Sequence, residues 1–281
     1  MSLLDPLAYQ YMQKALLVTT LIGGVCGLLS AFLMLKGWSL MGDALSHAIV
    51  PGVAGAYMLG LPFSLGAFVA GGMAASVMLF LHQRSHIKQD AIIGLIFSSF
   101  FAFGLFLVSI SPVAVDIQQI MLGNLLAIAP LDAVQMLIIA LVSLTVLAVK
   151  WRDFMLTFFD ESHARCIGLP VVGLKVLFFA LLSACTMAAL KSVGAFLVIC
   201  LVIAPGATAY LLSDRFGPVL VLSGVIGTFT SLFGVYISYF ANLNAGALIV
   251  LAQVGLFLAA FVFGPKHGIL ARRAKRQEAL Q

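Results

Sequence analysis

The run ALLVTTLIGGVCGLLSAFLML, Ala15 to Leu35, carries no charged residue and is long enough to cross a bilayer as one helix. In hydrocarbon every backbone N–H and C=O must find a partner within the chain, so an isolated run of this kind reads as a helix. Working outward, comparable runs follow at Gly37–Leu61, Phe63–Leu81, Ala91–Ile110, Ala133–Val149, Val171–Leu190, Ser192–Ser213, Pro218–Phe240 and Ala245–Gly264, nine candidates in all. The chain is 63% hydrophobic and 9% charged, against about 25% charged in an ordinary soluble domain. These runs predict an all-α, polytopic integral membrane bundle of eight to nine transmembrane helices. No linker divides the chain, so residues 1–281 are expected to form a single transmembrane domain.

Charge then orients the spans. With nine spans and an inside C-terminus, thirteen Lys and Arg residues, from Lys36 to Arg276, fall on one side and only Lys14 and Lys191 on the other. Positive residues stay in the cytoplasm, which predicts an outside N-terminus and a cytoplasmic C-terminus with a basic tail at 265–281. The net charge of +5 is accounted for by orientation and gives no reason to expect nucleic acid. Met1 to Lys14 has no basic region or small-residue cleavage site of the kind a signal peptide carries. Cys26, Cys166, Cys185 and Cys200 form no C-x-x-C pair; three of them lie in apolar runs, where cysteine behaves as a small hydrophobe, and neither a disulfide nor a thiolate metal site is expected.

The second run is interrupted by Gly42-Asp43-Ala44-Leu45-Ser46-His47-Ala48-Ile49-Val50-Pro51-Gly52. Asp43 and His47, four residues apart, share one helical face. Ionisable groups at membrane depth cost roughly 2.5–3.5 kcal/mol each and usually face a cavity, a partner or a cargo. A carboxylate with an imidazole suits Mn²⁺, Fe²⁺ or Zn²⁺. The bland alternative makes Asp43 a helix cap and His47 a hydrogen-bonded packing residue. Ser46 points elsewhere on the helix and reads as packing. A broken second helix, or a longer first one, would carry the acid toward the midplane; the spacing leaves that open. His82 and His86, beside Arg84 and Lys88, read as a cationic helix end. Ser111 to Pro130 is too polar for a clean span and is expected to be interfacial or re-entrant, with Asp116 unassigned.

At this point the residues resemble a known family. Gly42-Asp43-Ala44-Leu45-Ser46-His47 with Pro51-Gly52-Val53-Ala54 is similar to the signature of the membrane-spanning permeases of bacterial ABC importers for manganese, iron and zinc. Asp90-Ala91-Ile92-Ile93-Gly94, Gly123-Asn124, Val193-Gly194, Pro205-Gly206-Ala207-Thr208-Ala209 and Gly264-Pro265-Lys266-His267-Gly268 extend the likeness over nearly the whole chain. Gly206 departs from the alanine commonest there in the family. The resemblance implies a permease of a divalent metal importer in the bacterial plasma (inner) membrane, with manganese or iron ahead of zinc. It implies a dimer, with an identical or paralogous partner, around one pathway. Two copies would then present two carboxylates and two imidazoles to the ion. It also implies a periplasmic or lipid-anchored metal-binding protein outside and two ATPase subunits inside. No G-x-x-x-x-G-K-[ST] loop is present, so the chain is expected to be a transport subunit and not an enzyme, with no bound cofactor beyond the transported metal.

The cytoplasmic loop at about 151–170 is the second constellation. Its bland reading is a solvated helix stopped by Gly168 and Pro170. The resemblance makes Asp160, Glu161, Ala164 and Gly168 the element that couples the ATPase to the membrane helices. The rival reading is an ATP-independent secondary transporter or channel using Asp43 and His47. An intramembrane metalloenzyme would need more ligands and a base, and no H-E-x-x-H occurs.

Overall fold

Lipid leaves the backbone no hydrogen-bonding partner but itself, and each apolar run is helical over most of its described length. A computed structural model describes residues 5–38, 40–85, 87–110, 129–264 and Gly268. In chain order these form α1 (Asp5–Ala8), α2 (Gln10–Lys36), α3 (Met41–Ala48), α4 (Val50–Met58), α5 (Phe63–Arg84), α6 (Gln89–Ile110), α7 (Pro130–Phe159), α8 (Glu161–Cys166), α9 (Val171–Val193), α10 (Ala195–Leu212), α11 (Phe216–Ala241) and α12 (Ala245–Phe263). There is no β-strand among the described residues.

Among the described residues, seven helices are long and apolar enough to cross a membrane: α2, α5, α6, α7, α9, α11 and α12. The other two sequence runs are helical but shorter. The run 37–61 is split into α3 and α4, and α10 has an apolar stretch of Val198–Leu212. Large apolar side chains such as Leu131, Val149, Val221, Leu251 and Phe263 are exposed, as suits a lipid solvent. Residues 111–128 of the expected interfacial segment, with Asp116 and Gly123-Asn124, and the basic tail apart from Gly268 lie outside the described residues.

The helices group into two units. One comprises residues 1–38, 125–140 and 200–281. Its centre is the α2–α11 pair, where glycines let two backbones touch. A Cβ on Gly27 would strike the Ser223 carbonyl oxygen, and one on Gly227 would strike that of Gly23. Without a hydrophobic force between helices in lipid, such close van der Waals approach is what holds them. Pro205 sits inside α10, where it lacks an N–H and crowds the preceding turn. Ser30 of α2 braces the turn around it. Its hydroxyl donates to the Ile203 carbonyl at 3.1 Å and accepts from the Gly206 N–H at 3.0 Å. The absence of a side chain at Gly206 is required for this, since its Cβ would lie 2.6 Å from the Ser30 carbonyl oxygen.

The other unit comprises residues 39–124 and 141–199. Here α4 packs on α5 and α6, α3 on α6, and α9 on α3 and α5. Gly52 of α4 and Gly66 of α5 meet backbone to backbone, because a Cβ on either would strike the other's carbonyl oxygen. Phe154 and Phe158 of α7 pack edge-on against Phe178 of α9, with centroids 5.8 and 4.7 Å apart.

Candidate functional site

The break between α3 and α4 has a covalent cause. Pro51 has no N–H to give to the His47 carbonyl four residues earlier, so the helical ladder is interrupted just beyond His47. Asp43 lies in the first turn of α3 and His47 in its last. As their spacing requires, they are neighbours: His47 Nε2 is 3.3 Å from Asp43 Oδ1, and the side chains are 19% and 36% exposed. Neither is enclosed, so both retain lone pairs for something outside the helix. Ser46 is buried and donates to the Gly42 carbonyl at 2.8 Å, which is a packing role.

The second wall of the site comes from α6. Phe97 and Phe101, four residues apart, stack at 6.0 Å and present their rings to His47 with centroids at 5.1 and 5.5 Å and near-perpendicular planes. Edge-to-face packing of this kind restricts the imidazole to a narrow range of orientations without using its nitrogens. Gly104 of the same helix lets α6 approach the break, since a Cβ there would lie 2.9 Å from the Pro51 nitrogen. Among the described residues no group of three or more His, Cys, Asp and Glu gathers into a metal site. The pair in one chain thus offers two ligands, fewer than the four or more a divalent ion takes.

The loop after α7 is built as the sequence suggests and carries an extra contact. Asp160 caps α8, its Oδ1 accepting from the His163 N–H at 3.0 Å. Ala164 is fully buried, while Ser162, His163, Arg165 and Cys166 face out. The stop is a Schellman turn: Gly168 adopts φ +81, Leu169 N–H reaches the Ala164 carbonyl and Gly168 N–H the Arg165 carbonyl, each at 3.0 Å. Glu161 accepts from Arg165 at 2.7 Å and from Lys175 at 2.5 Å. Its partial burial pushes the carboxyl pKa up, but the hydrogen bonds and charges of Lys175 and Arg165 outweigh that and hold it below the ordinary 4.5. Exposed Phe159 and Ile167 flank the helix.

Asp43 and His47 are therefore brought together, as are Asp160, Glu161, Ala164 and Gly168. His82 is at an exposed helix end beside Arg84, and His86 lies outside the described residues. The four cysteines form no disulfide. Phe97, Phe101 and the Lys175–Glu161 pair were missed from sequence. The i, i+4 spacing of the two phenylalanines and a lysine inside an apolar run were the available signals.

The model of the ABC 3 transport family matches residues 8–264. Over 271 residues, 96% of this chain and 92% of the relative, the sequence is 55% identical to the chelated iron transport system membrane protein YfeC of Yersinia pestis. It is 41% identical over 278 residues, 98% and 90% of the two chains, to the manganese transport system membrane protein MntB of Synechocystis. The fold matches the structure of PsaBC from Streptococcus pneumoniae in complex with Fab, with a TM-score of 0.84 and 35% identity over 96% of this chain and 98% of that one.

Proposed function

This chain belongs to the ABC 3 transport family, and from that membership we propose that it is the multi-pass membrane subunit of an ATP-driven divalent metal importer, manganese or iron first and zinc next. The names of the iron and manganese relatives support the cargo. They give no support to an ATP-independent carrier. ATP hydrolysis belongs to separate subunits, two copies of which dock from the cytoplasm. A periplasmic or lipid-anchored protein delivers the ion outside, and a second permease completes the pathway. Residues 1–281 act as a single permease domain in the bacterial inner membrane with the C-terminus inside.

The observation that carries the reading is the half-exposed Asp43–His47 pair at the α3–α4 break, braced by Phe97 and Phe101. One carboxylate and one imidazole per chain become four ligands when two copies face each other. This oxygen and nitrogen set is hard enough for Mn²⁺ and Fe²⁺ and lacks the thiolates that would slow release. The anionic charge of Asp43 offsets part of the ion's desolvation. In vesicles holding the assembled transporter, Asp43→Asn and His47→Ala should each abolish Mn²⁺ uptake while the complex still assembles. Uptake at the unmodified rate by both variants would remove the site. The short helix α8, with Asp160, Glu161, Ala164 and Gly168, is the coupling element, and its outward side chains with Phe159 and Ile167 form the contact for the ATPase. A cysteine at Ser162 should cross-link to that subunit.

A further inference from the structure

Lys175 is in the second turn of a membrane-length apolar helix, and its side chain is only 2% exposed. A buried ammonium is costly unless it is paired and hydrogen-bonded, so its partner explains its presence. That partner is Glu161 Oε2, on a different helix and fourteen residues earlier. The other cation on Glu161 is Arg165, which lies on α8 itself and ties the helix only to itself. Of the two bonds to this carboxylate, the one from Lys175 joins α8 to α9.

The covalent connection between these helices is the short stretch around Gly168, which has no Cβ and takes a positive φ. The Schellman bonds tie Gly168 and Leu169 to α8, so the swing left to the two helices is about the Leu169-Pro170 link. A charge-assisted bond placed beyond the turn, one end buried, opposes that swing. From Lys175, α9 continues to the break that carries the ion ligands. Ser183 Oγ donates to the Phe68 carbonyl of α5 at 3.4 Å. Ser183 and Ile49, the residue at the α3–α4 break, both press into the space that a Cβ on Gly71 would take. These contacts all lie in one unit.

We propose that Lys175 is a positioning residue for energy coupling: by locking α8 to α9 through Glu161, it makes the two helices move as one body, so a displacement of α8 reaches the Ile49 break beside His47. The inference rests on α8 being the ATPase contact. A residue needed only for stability would leave the transport stoichiometry alone, so stoichiometry is the readout.

The test uses the full complex in vesicles, with Mn²⁺ as the probe. Lys175→Met keeps an unbranched stem and removes the charge. Mn²⁺ carried per ATP should fall about tenfold or more, with hydrolysis retained, and Lys175→Arg should restore most of it. Spin labels at Ser162 and Val172 in the otherwise unmodified chain should hold one separation with and without ATP. In Lys175→Met that separation should vary with nucleotide. An unchanged stoichiometry in Lys175→Met, or a label separation that changes with ATP when Lys175 is present, overturns the inference. Should Lys175→Met not assemble, Glu161→Gln, which weakens the same bond from its partly exposed end, takes its place: a label separation that varies with nucleotide supports the lock, and a constant one overturns it. If Ser162 fails to cross-link to the ATPase, the reading of α8 has failed; normal cross-linking with unchanged stoichiometry sinks Lys175 only.

Discussion

Gly52→Ala is a one-carbon perturbation at the point where α4 touches α5. The new Cβ would lie 2.5 Å from Ala70 Cβ and 2.7 Å from the Gly66 carbonyl carbon, and the Gly66 oxygen is nearer still. Carbon atoms pack at about 3.5–4.0 Å, so the helices must part by about 1 Å. Backbone and a short alanine give no flexible end that could turn aside, and overpacking of this kind costs about 1–3 kcal/mol. Alanine also favours a helix over glycine by about 1 kcal/mol. Gly55 supplies the control, being on the same helix with nothing within 4 Å of its added Cβ and an apolar cavity of about 510 Å³ beside it. The propensity gain is common to both variants and cancels. Gly52→Ala should therefore be less stable than Gly55→Ala by about 1–3 kcal/mol, a ratio of roughly 5 to 150 in the equilibrium. Ala70, unlike the Gly66 backbone, can be trimmed; Ala70→Gly should recover only part of the loss. Heating the purified chain in detergent and measuring the monodisperse fraction gives the first comparison, and Mn²⁺ uptake the second. Uptake should fall too, because α4 continues from the His47 helix and a shift near 1 Å can cost about 100-fold in a positioned site. Equal stability and equal uptake for the two alanine variants would refute the close-contact argument.

Gly168→Val forces a β-branched residue to φ +81 and should cost about 1–2 kcal/mol or more; metal-stimulated ATPase activity should fall, and Gly168→Asn should be milder. The pKa of Glu161 is lowered on folding, so its bonds stabilise docking of α8 fully above the ordinary 4.5 and lose that contribution as pH falls through the lowered value. Protease cleavage within 160–170 should rise in that acid window and should show no such step in Glu161→Gln. Replacing Phe97 and Phe101 together by leucine frees the His47 ring, which should raise the Mn²⁺ concentration for half-maximal uptake severalfold; an unchanged value would deny the clamp. A cysteine at Asn242, exposed at the end of α11, should react with an impermeant reagent in intact cells, whereas one at Glu161 should not. The reverse pattern would invert the topology.

The sequence alone determined what depends on neighbours along the chain. Helical spans follow from uninterrupted apolar length, the Asp43–His47 contact from a spacing of four, and the stop at Gly168-Leu169-Pro170 from glycine's access to positive φ and proline's missing N–H. Even the α3–α4 break was written in Pro51, although spacing left open whether the first helix would lengthen or the second would divide. Tertiary structure decided what depends on residues far apart in the chain. Phe97 and Phe101 looked like any lipid-facing pair until α6 was laid against α3. Lys175 counted as one more positive charge until it was buried against Glu161. Gly206 read as a mild departure from its family, yet its bare backbone is what lets Ser30 bond beside Pro205. In a membrane nearly every side chain is apolar, so composition does not say which face of a helix meets lipid and which meets protein. Close packing between particular small residues makes that choice, and it exists only once the helices are assembled.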